Sequence, residues 1–355
     1  MHAFTYDGLP ARVVFGLGAI DRLPGEVERL GAARALVLST PEQRETAEDV
    51  ASRLGGRAAG VFDQARMHVP VAVAQAAREE ARRLGADACV AVGGGSTIGL
   101  GKAIALEFGL PVIAVPTTYA GSEMTPIWGL TEDGIKKTGR DARVLPKAVV
   151  YDPALTVSLP AGVSAASGMN AIAHCVEALY AEDRNPIISM IAEEGIRALG
   201  RSLPGVVRDP ADLEARSDAF YGSWLAGTAL GAVGMALHHK LCHTLGGSFD
   251  LPHAETHTIV IPHATAFNRA AAPEAMARIA AALGAVDAAE GLYDLAVALG
   301  APTRLADLGM AEADLDRAAE IATRNPYYNP RPIDREGIRS LLDDAWHGRR
   351  PAPGG

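Results

Sequence analysis

The chain has 355 residues, of which 48% are hydrophobic and 21% charged, with a formal net charge of −9. This length usually gives two domains, this composition is typical of a packed α/β enzyme, and the acidic charge argues against a nucleic-acid partner. The three cysteines lack disulfide or metal spacing, the N-terminus has no signal-peptide core and no run is long enough to span a membrane, so we expect a cytoplasmic protein without membrane association.

Up to about residue 153, short strand-like runs alternate with amphipathic helical runs, a pattern that indicates a parallel sheet. The predicted strands are Arg34–Ser39, Ala88–Val92, Pro111–Val115, Ile127–Leu130 and Ala148–Tyr151, and the predicted helices are Glu42–Leu54, Val71–Leu84 and Thr97–Phe108. Beyond Pro160 the patterns are helical as far as Trp346. The sequence therefore predicts an α/β domain over residues 1–155, an all-helical domain over 156–348 and a frayed tail over 349–355.

A glycine-rich run follows the second predicted strand and precedes a helix. Its residues are Gly93, Gly94, Gly95, Ser96 and Thr97. Glycines let the backbone approach a pyrophosphate closely, and the following helix N-terminus attracts anionic oxygens. The run lacks the third glycine of the common dinucleotide fingerprint, because Ile98 stands there. A phosphate cradle and a tight turn without a ligand both remain open from this run alone.

A polar loop, PTTYAGSE over residues 116–123, follows the next predicted strand. Ligands of parallel sheets bind at the carboxyl ends of the strands, so we predict that Thr117, Thr118 and Ser122 bind a cofactor and that Tyr119 faces a substrate. Alone, the loop could equally be an ordinary polar connection. Together with the glycine-rich run it favours a cofactor site.

Six of the ten histidines fall between Leu237 and His263. Asn170 and His174 are four residues apart, as are His239 and His243, so each pair shares one face of a helix. A single histidine is more often an ordinary core or surface residue, but the set together with His253 favours a functional site. HAETH, over residues 253–257, lacks the spacing of the zinc-protease motif HExxH, which argues against proteolysis.

These motifs stand in the order found in the iron-containing, group III alcohol dehydrogenases, and the resemblance extends to about residue 348. It implies an N-terminal dinucleotide-binding α/β domain, a helical C-terminal domain, a cleft between them and a dimer. In that family an Asp, a His four residues later and two further His hold a divalent metal. The matching positions here are Asn170, His174, His239 and His253.

Asn170 departs from the family pattern, because an amide gives a metal only a neutral oxygen where a carboxylate gives a charged one. We therefore predict that no metal is needed. This substitution resembles the maleylacetate reductases, as do PTTYAGSE, GLTEDGIKKTGRD (129–141), LSTPEQ (38–43) and NPYYNPRP (325–332). The resemblance implies reduction of 2-maleylacetate to 3-oxoadipate by NADH or NADPH, late in the breakdown of aromatic rings.

Hydride addition to a double bond conjugated to a ketone creates an enolate, so the site must stabilise negative charge on oxygen and return a proton to carbon. We hypothesise that His243 and His253 face the reacting atoms, while Asn170, His174 and His239 shape the pocket. Which of the two histidines, His243 or His253, performs which task stays open.

The implied substrate is a small dicarboxylate, so basic groups are expected near it. The substrate candidates are Lys136, Lys137, Arg140 and Arg331, beside Tyr119 and Tyr328, although each charge alone is more often a solvated surface residue. Lys137 could equally reach the cofactor ribose. The first predicted strand ends at Ser39 rather than at an acid that would select NAD, so both NADH and NADPH are expected to serve.

Three alternatives remain open from the sequence. A metal-dependent alcohol or polyol dehydrogenase could tolerate Asn170, with His243 completing the coordination. A relative of dehydroquinate synthase would use bound NAD transiently. A nucleotide-binding sensor without activity is a third, although the intact set of histidines argues against it.

Overall fold

The computed structural model describes the chain apart from residues 1–3, 5, 7, 10–11, 133–134, 325–326 and 353–355, and apart from the side chains of 135 and 136. Its described residues form two compact units, and the chain passes from one to the other at Leu159–Pro160, a few residues beyond the predicted boundary.

The first unit is built on a parallel sheet, as predicted. In the described residues the sheet has six strands in the order β1-β8-β5-β4-β2-β3. The strands are β1 Arg12–Phe15, β2 Ala35–Leu38, β3 Ala58–Phe62, β4 Ala88–Gly93, β5 Val112–Pro116 and β8 Ala148–Tyr151, and the helices are α1 Leu23–Arg29, α2 Arg44–Leu54, α3 Val71–Leu84 and α4 Gly95–Phe108. The strands β6 Ile127–Glu132 and β7 Ile135–Arg140 form a separate antiparallel pair.

The inner strands β2, β4, β5 and β8 are buried along their whole length. Helices cover both faces of such a sheet, so its strands are apolar throughout instead of alternating. On one face, alternate residues of the sheet pack with α1 and α2 in a common core that includes Val37, Val90 and Val115. The Ala-rich helix α3 buries Ala74, Ala77 and Ala81, at helical spacing, and ends at Gly85, whose φ of 60° only glycine adopts easily.

Strands β1, β3 and β7 and helix α1 were missed by the sequence analysis. The β3 run AAGVF has little of the β-branched character that marks a strand, and the β7 run IKKTGR is polar. The predicted strand at Ile127 is real, but it pairs with β7 instead of joining the parallel sheet. Pairing partners depend on residues distant in the chain, which explains these differences.

The second unit is all-helical in its described residues, as predicted. Its helices are α5 Ala161–Leu179, α6 Pro186–Arg208, α7 Leu213–Ala232, α8 Leu237–Phe249, α9 His253–Asn268, α10 Pro273–Leu283, α11 Ala288–Ala298, α12 Leu315–Thr323 and α13 Arg335–His347. Side-chain oxygens of Asn185, Asp212, Asp287 and Asp334 cap the starts of α6, α7, α11 and α13. These caps satisfy N–H groups that have no partner within the helix.

A core of leucine, isoleucine and alanine side chains joins α8, α9, α12 and α13. The first residues of the predicted tail are anchored beside this core. Arg349 pairs with Asp343 and Asp344, and Arg350 pairs with Glu290 and Asp294.

Within the described residues, no helix has by itself the length and apolar composition to cross a membrane. The pair α7 and α8, bent by 95°, passes that test only when the two helices are taken together.

His263, on α9, predicts an acid sensitivity of folding. Its Nε2 is buried and finds no hydrogen-bond partner in the described part of the chain, and burial lowers the pKa of the ring to about 4. Between about pH 6.5 and pH 4 the unfolded chain therefore binds a proton that the folded chain does not, so the free energy of unfolding falls as the pH falls, by about 1.4 kcal/mol per pH unit for this residue. We expect His263→Gln to flatten this slope by that amount in urea denaturation measured across pH 4.5–6.5. An unchanged slope contradicts the assignment.

Candidate active site

The two sequence motifs of the α/β unit lie side by side at the carboxyl edge of the sheet. Gly93 ends β4 and is paired with Pro116 at the end of β5. The N–H of Thr117 donates to the carbonyl of Gly93 at 3.2 Å, and Gln43 Nε2 donates to Thr117 Oγ1 at 2.7 Å. The structure thus brings the glycine-rich run and the PTTYAGSE loop together, and it adds Gln43, whose contact sequence reasoning did not foresee.

Two glycines of the run, Gly93 and Gly94, leave little space for a side chain. Gly93 has a φ of +150°, and a Cβ there would lie 2.5 Å from Thr97 Oγ1 and 2.8 Å from Gln43 Oε1. A Cβ on Gly94 would lie 3.0 Å from Thr118 Oγ1. Backbone groups at the start of α4 can therefore be approached closely, as a phosphate requires.

Two hydroxyls at this edge are buried without a hydrogen-bond partner in the described residues. They are Thr97 Oγ1, in the first turn of α4, and Ser39 Oγ, immediately after β2. In the sheet, β3 lies on one side of β2 and β4 lies on the other, so the strand order reverses its direction at β2. Nucleotides bind at such a switch point in open parallel sheets. The two hydroxyls are therefore placed where ligand oxygens would satisfy them.

Lys102 connects the glycine-rich helix to the PTTYAGSE loop. It lies fully buried on α4. Its Nζ donates to the carbonyls of Ser122 and Ile127, at 2.6 and 2.9 Å, and to Thr125 Oγ1 at 2.9 Å. The predicted cofactor residue Ser122 is thus held through its backbone by a lysine whose role the sequence did not reveal.

Glu123 supplies a buried negative charge near this lysine. Tyr151 donates its hydroxyl to Glu123 Oε1 at 2.8 Å, and Oε2 has no hydrogen-bond partner in the described residues. Burial lowers the pKa of Lys102 to about 7, an effect that Glu123 opposes, and burial raises the pKa of Glu123 to about 7. The hydrogen bonds of Lys102 to Ser122, Thr125 and Ile127 hold this loop, and the burial of two ionisable groups beside it is costly.

Two of the three predicted basic residues of the β6–β7 pair lie on its surface. Lys137 is exposed and forms an ion pair with Glu132 at 2.7 Å, and Arg140 is also exposed. The side chain of Lys136 lies outside the described residues. Their contact with a substrate or a ribose stays a prediction.

The histidine cluster of the helical unit is formed by three helices. Asn170 and His174 lie on α5, His239 and His243 on α8, and His253 at the start of α9. The ring centroids of His174 and His239 are 4.9 Å apart, those of His239 and His243 6.2 Å, and those of His243 and His253 6.4 Å. The structure therefore brings together the catalytic candidates predicted from sequence.

The residues of the cluster differ in their exposure to solvent. Asn170, His174 and His239 are buried, His253 is half-buried and His243 is exposed, with its ring stacked on that of His253. A ring that exchanges protons during catalysis must reach both ligand and solvent. The accessible rings are thus the two that we placed at the reacting atoms.

Two further histidines lie behind this set. His238 Nε2 and His257 Nδ1 are 2.9 Å apart, and the ring of His257 is 4.2 Å from that of His253. Burial, reinforced by the neighbouring imidazoles, keeps the pKa of His238 and of His257 well below its usual value. Their place in the dense histidine run was visible in the sequence, but their depth was not.

The residues at the family's metal positions do not fit an ion well. Asn170 Oδ1 is buried and has no hydrogen-bond partner among the residues that the structure describes, yet it carries no charge. His174 Nδ1 and His239 Nε2 are 2.8 Å apart in a hydrogen bond, so one of the two nitrogens carries a proton and cannot bind a metal in this arrangement. A different set, His238, Cys242 and His257, has donor atoms within 4.8 Å of one another, but its two imidazoles are already hydrogen-bonded together.

The segment around Arg331 is fastened to the end of α9. The Arg331 guanidinium lies 4.0 Å over the ring of Phe267 and donates to the Phe267 carbonyl at 3.4 Å. The amides of Asn329 and Asn268 bond each other reciprocally at 2.7 and 3.0 Å. Arg331 is thus engaged in a cation–π contact, and Tyr328 lies at the surface. Substrate contact by either stays a prediction.

Family models match both units of the chain. The model of the iron-containing alcohol dehydrogenases matches residues 10–153, and that of the C-terminal domain of the Fe-containing alcohol dehydrogenase family matches residues 164–346. The chain therefore belongs to the iron-containing alcohol dehydrogenase family and is an oxidoreductase. The fold class predicted from sequence is confirmed.

Individual relatives are similar over almost the whole chain. A maleylacetate reductase of Burkholderia cepacia is 60% identical over 352 residues, which cover 99% of this chain and 100% of the relative. The crystal structure of the maleylacetate reductase from Rhizobium sp. strain MTP-10005 has a TM-score of 0.95 and 56% identity, covering 99% of this chain and 100% of that one. A putative alcohol dehydrogenase from Ralstonia eutropha JMP134 has a TM-score of 0.99 and 63% identity, with the same coverage.

Proposed function

We propose that this protein reduces the carbon–carbon double bond of 2-maleylacetate to give 3-oxoadipate, using NADH or NADPH, in the degradation of aromatic compounds. The observation that carries the proposal is the histidine cluster around Asn170, in which an amide stands at the position where a metal site of this family would have a carboxylate. Near-full-length identity to maleylacetate reductases supports the same substrate. The substrate is a small dicarboxylate.

The reaction adds a hydride and a proton across the double bond. The bound nicotinamide would supply the hydride; when a hydride joins the alkene carbon β to the ketone, the electron pair of the double bond moves to the ketone oxygen and forms an enolate, which the site must stabilise. A proton then joins the α carbon, and the ketone re-forms. His243 and His253 serve these two tasks, since one imidazole donates a hydrogen bond to the oxygen and the other passes a proton from solvent to carbon.

The cofactor binds at the carboxyl edge of the sheet. Gly93, Gly94, Gly95 and Ser96, at the start of α4, would hold its phosphates, and Thr117 and Thr118 would bind it from the neighbouring loop. The fold supports a nicotinamide dinucleotide. Because β2 ends at Ser39 and not at an acid, a ribose phosphate meets no negative charge there, and both NADH and NADPH are accepted.

We propose that the activity needs no metal. Asn170 is neutral, and the bond between His174 and His239 uses a ring nitrogen that a metal would require. A homodimer located in the cytoplasm also remains part of the proposal, and it is supported by the family resemblance.

Purified protein should oxidise NADH and NADPH rapidly when fresh maleylacetate is added, and preincubation with a strong chelator should change the rate less than twofold. The rate is followed at the absorbance of the reduced nicotinamide. Turnover that appears only with added zinc or iron contradicts the metal-free proposal.

The substrate and the cofactor are tested in the same assay. Turnover of simple alcohols with NAD, but none of maleylacetate, identifies an ordinary dehydrogenase of this family. A hundredfold preference for NADH over NADPH contradicts dual cofactor use.

A further inference from the structure

Glu177 lies on α5, one turn beyond His174, and is fully buried. Its carboxylate accepts from the backbone N–H groups of Ala236, His238 and His239, at 3.0, 2.8 and 3.4 Å. These groups begin α8, which has no capping side chain of its own. A carboxylate from one helix therefore caps the N-terminus of another, where a negative charge is favoured.

The same carboxylate determines which nitrogen of His239 carries the proton. Glu177 Oε2 is 2.6 Å from His239 Nδ1. Since backbone N–H groups can only donate, the carboxylate acts as an acceptor throughout, and His239 Nδ1 is the donor in this contact. A neutral ring with a proton on Nδ1 has a lone pair on Nε2.

That lone pair in turn orients the next ring. His239 Nε2 is 2.8 Å from His174 Nδ1, so His174 donates from Nδ1 and carries its own lone pair on Nε2. The three residues form one chain of hydrogen bonds, from Glu177 through His239 to His174, in which each proton position follows from the one before. A protonated ring along this chain is stabilised by the carboxylate at its end.

We propose that Glu177 is a positioning residue, which acts through His239 to set the tautomer and the orientation of His174. The kinetic part of this inference rests on the proposed function, because it assumes that the imidazole cluster serves maleylacetate reduction. An orienting carboxylate beside a histidine can contribute up to about 10⁴ to kcat in other enzymes. Here the carboxylate acts through an intervening ring, and a loss of about 10–100-fold is expected.

The first test is spectroscopic and independent of activity. Histidine ¹⁵N resonances of the wild type should show Nδ1–H tautomers for both His239 and His174, assigned with the variants His239→Gln and His174→Gln. In Glu177→Gln the amide can donate as well as accept, and the two signals should change together. Unchanged tautomers in this variant overturn the proposal.

The second test separates positioning from folding. Glu177→Gln should lower kcat by about 10–100-fold with less than a twofold change in the KM for NADH, and Glu177→Asp should restore part of kcat because it keeps the carboxylate. In a His239→Gln background, Glu177→Gln should lower kcat by less than a further twofold. If Glu177→Gln lowers kcat by the same factor in the His239→Gln background as in the wild type, the proposal is overturned, since Glu177 then does not act through His239.

Control measurements cover loss of stability and failure of the assumed reaction. Glu26→Gln removes another buried carboxylate, in the α/β unit, and should leave kcat unchanged. If Glu177→Gln does not fold, both tests are made with Glu177→Asp. If that variant has lower thermal stability but normal tautomers and a normal kcat, the proposal is overturned. If the wild type does not reduce maleylacetate, the proposed function fails while the ¹⁵N test still decides the inference.

Discussion

Replacing His243 by alanine is expected to lower kcat for maleylacetate reduction by about 100-fold or more, because general acid–base groups contribute factors of about 10²–10⁴. His243 is the exposed ring of the histidine cluster and stacks on His253. In the proposed mechanism, its truncation removes either the hydrogen bond to the enolate oxygen or the path of the proton. Steady-state oxidation of NADH at saturating maleylacetate measures kcat directly.

A surface histidine provides the matched control. His347, at the end of α13, lies near Asp343 and outside the histidine cluster, so His347→Ala should leave kcat and KM unchanged. The KM for NADH in His243→Ala should also stay within about twofold, because the cofactor loops belong to the other unit. Near-normal turnover of His243→Ala would remove this residue from the mechanism.

Replacing Lys102 by methionine is expected to destabilise the protein by about 1–3 kcal/mol, a cost typical of buried polar groups left unsatisfied, and Glu123 loses the attraction of a buried cation. The acceptors at Ser122, Thr125 and Ile127 also lose their donor. We expect the loop after β5 to become mobile and the KM for NADH to rise about tenfold. Urea denaturation and cofactor titration measure the two effects.

The double variant Lys102→Met/Glu123→Gln tests the electrostatic part. It removes both buried charges, so it should recover part of the lost free energy of unfolding, while the KM for NADH should remain raised because the loop is still unfastened. A Lys102→Met protein with normal stability and normal KM contradicts the role assigned to Lys102.

The regular elements were predictable wherever a residue pattern alone determines them. Helix α3 matches its predicted bounds because alanines recur at helical spacing on one face, and β8 matches because its four residues are apolar and bounded by turn signals. The order of the strands and the pairing of β6 with β7 were not predictable, since both depend on contacts between residues distant in the chain.

The sequence predicted which histidines form the site, but it did not predict the hydrogen bonds that join them to other residues. The sequence pointed to His239, His243 and His253, and the structure brings them together. The sequence did not indicate that Glu177 would accept hydrogen bonds from the start of α8. A glutamate that will be buried in a helix has the same local sequence pattern as an exposed one. The sequence also could not show that Arg331 packs on Phe267, since a cation–π contact has no local pattern.

Because all three thiols are buried, their reaction with a thiol reagent measures partial unfolding of the protein. Cys89 lies in β4, Cys175 in α5 and Cys242 in α8, and each is buried. Burial raises the pKa of Cys89 to about 12 and raises the other two as well, so a thiol reagent reacts only with molecules that have opened. Peptide mapping of the labelled sites then distinguishes opening of the α/β unit, read at Cys89, from opening of the helical unit, read at Cys175 and Cys242.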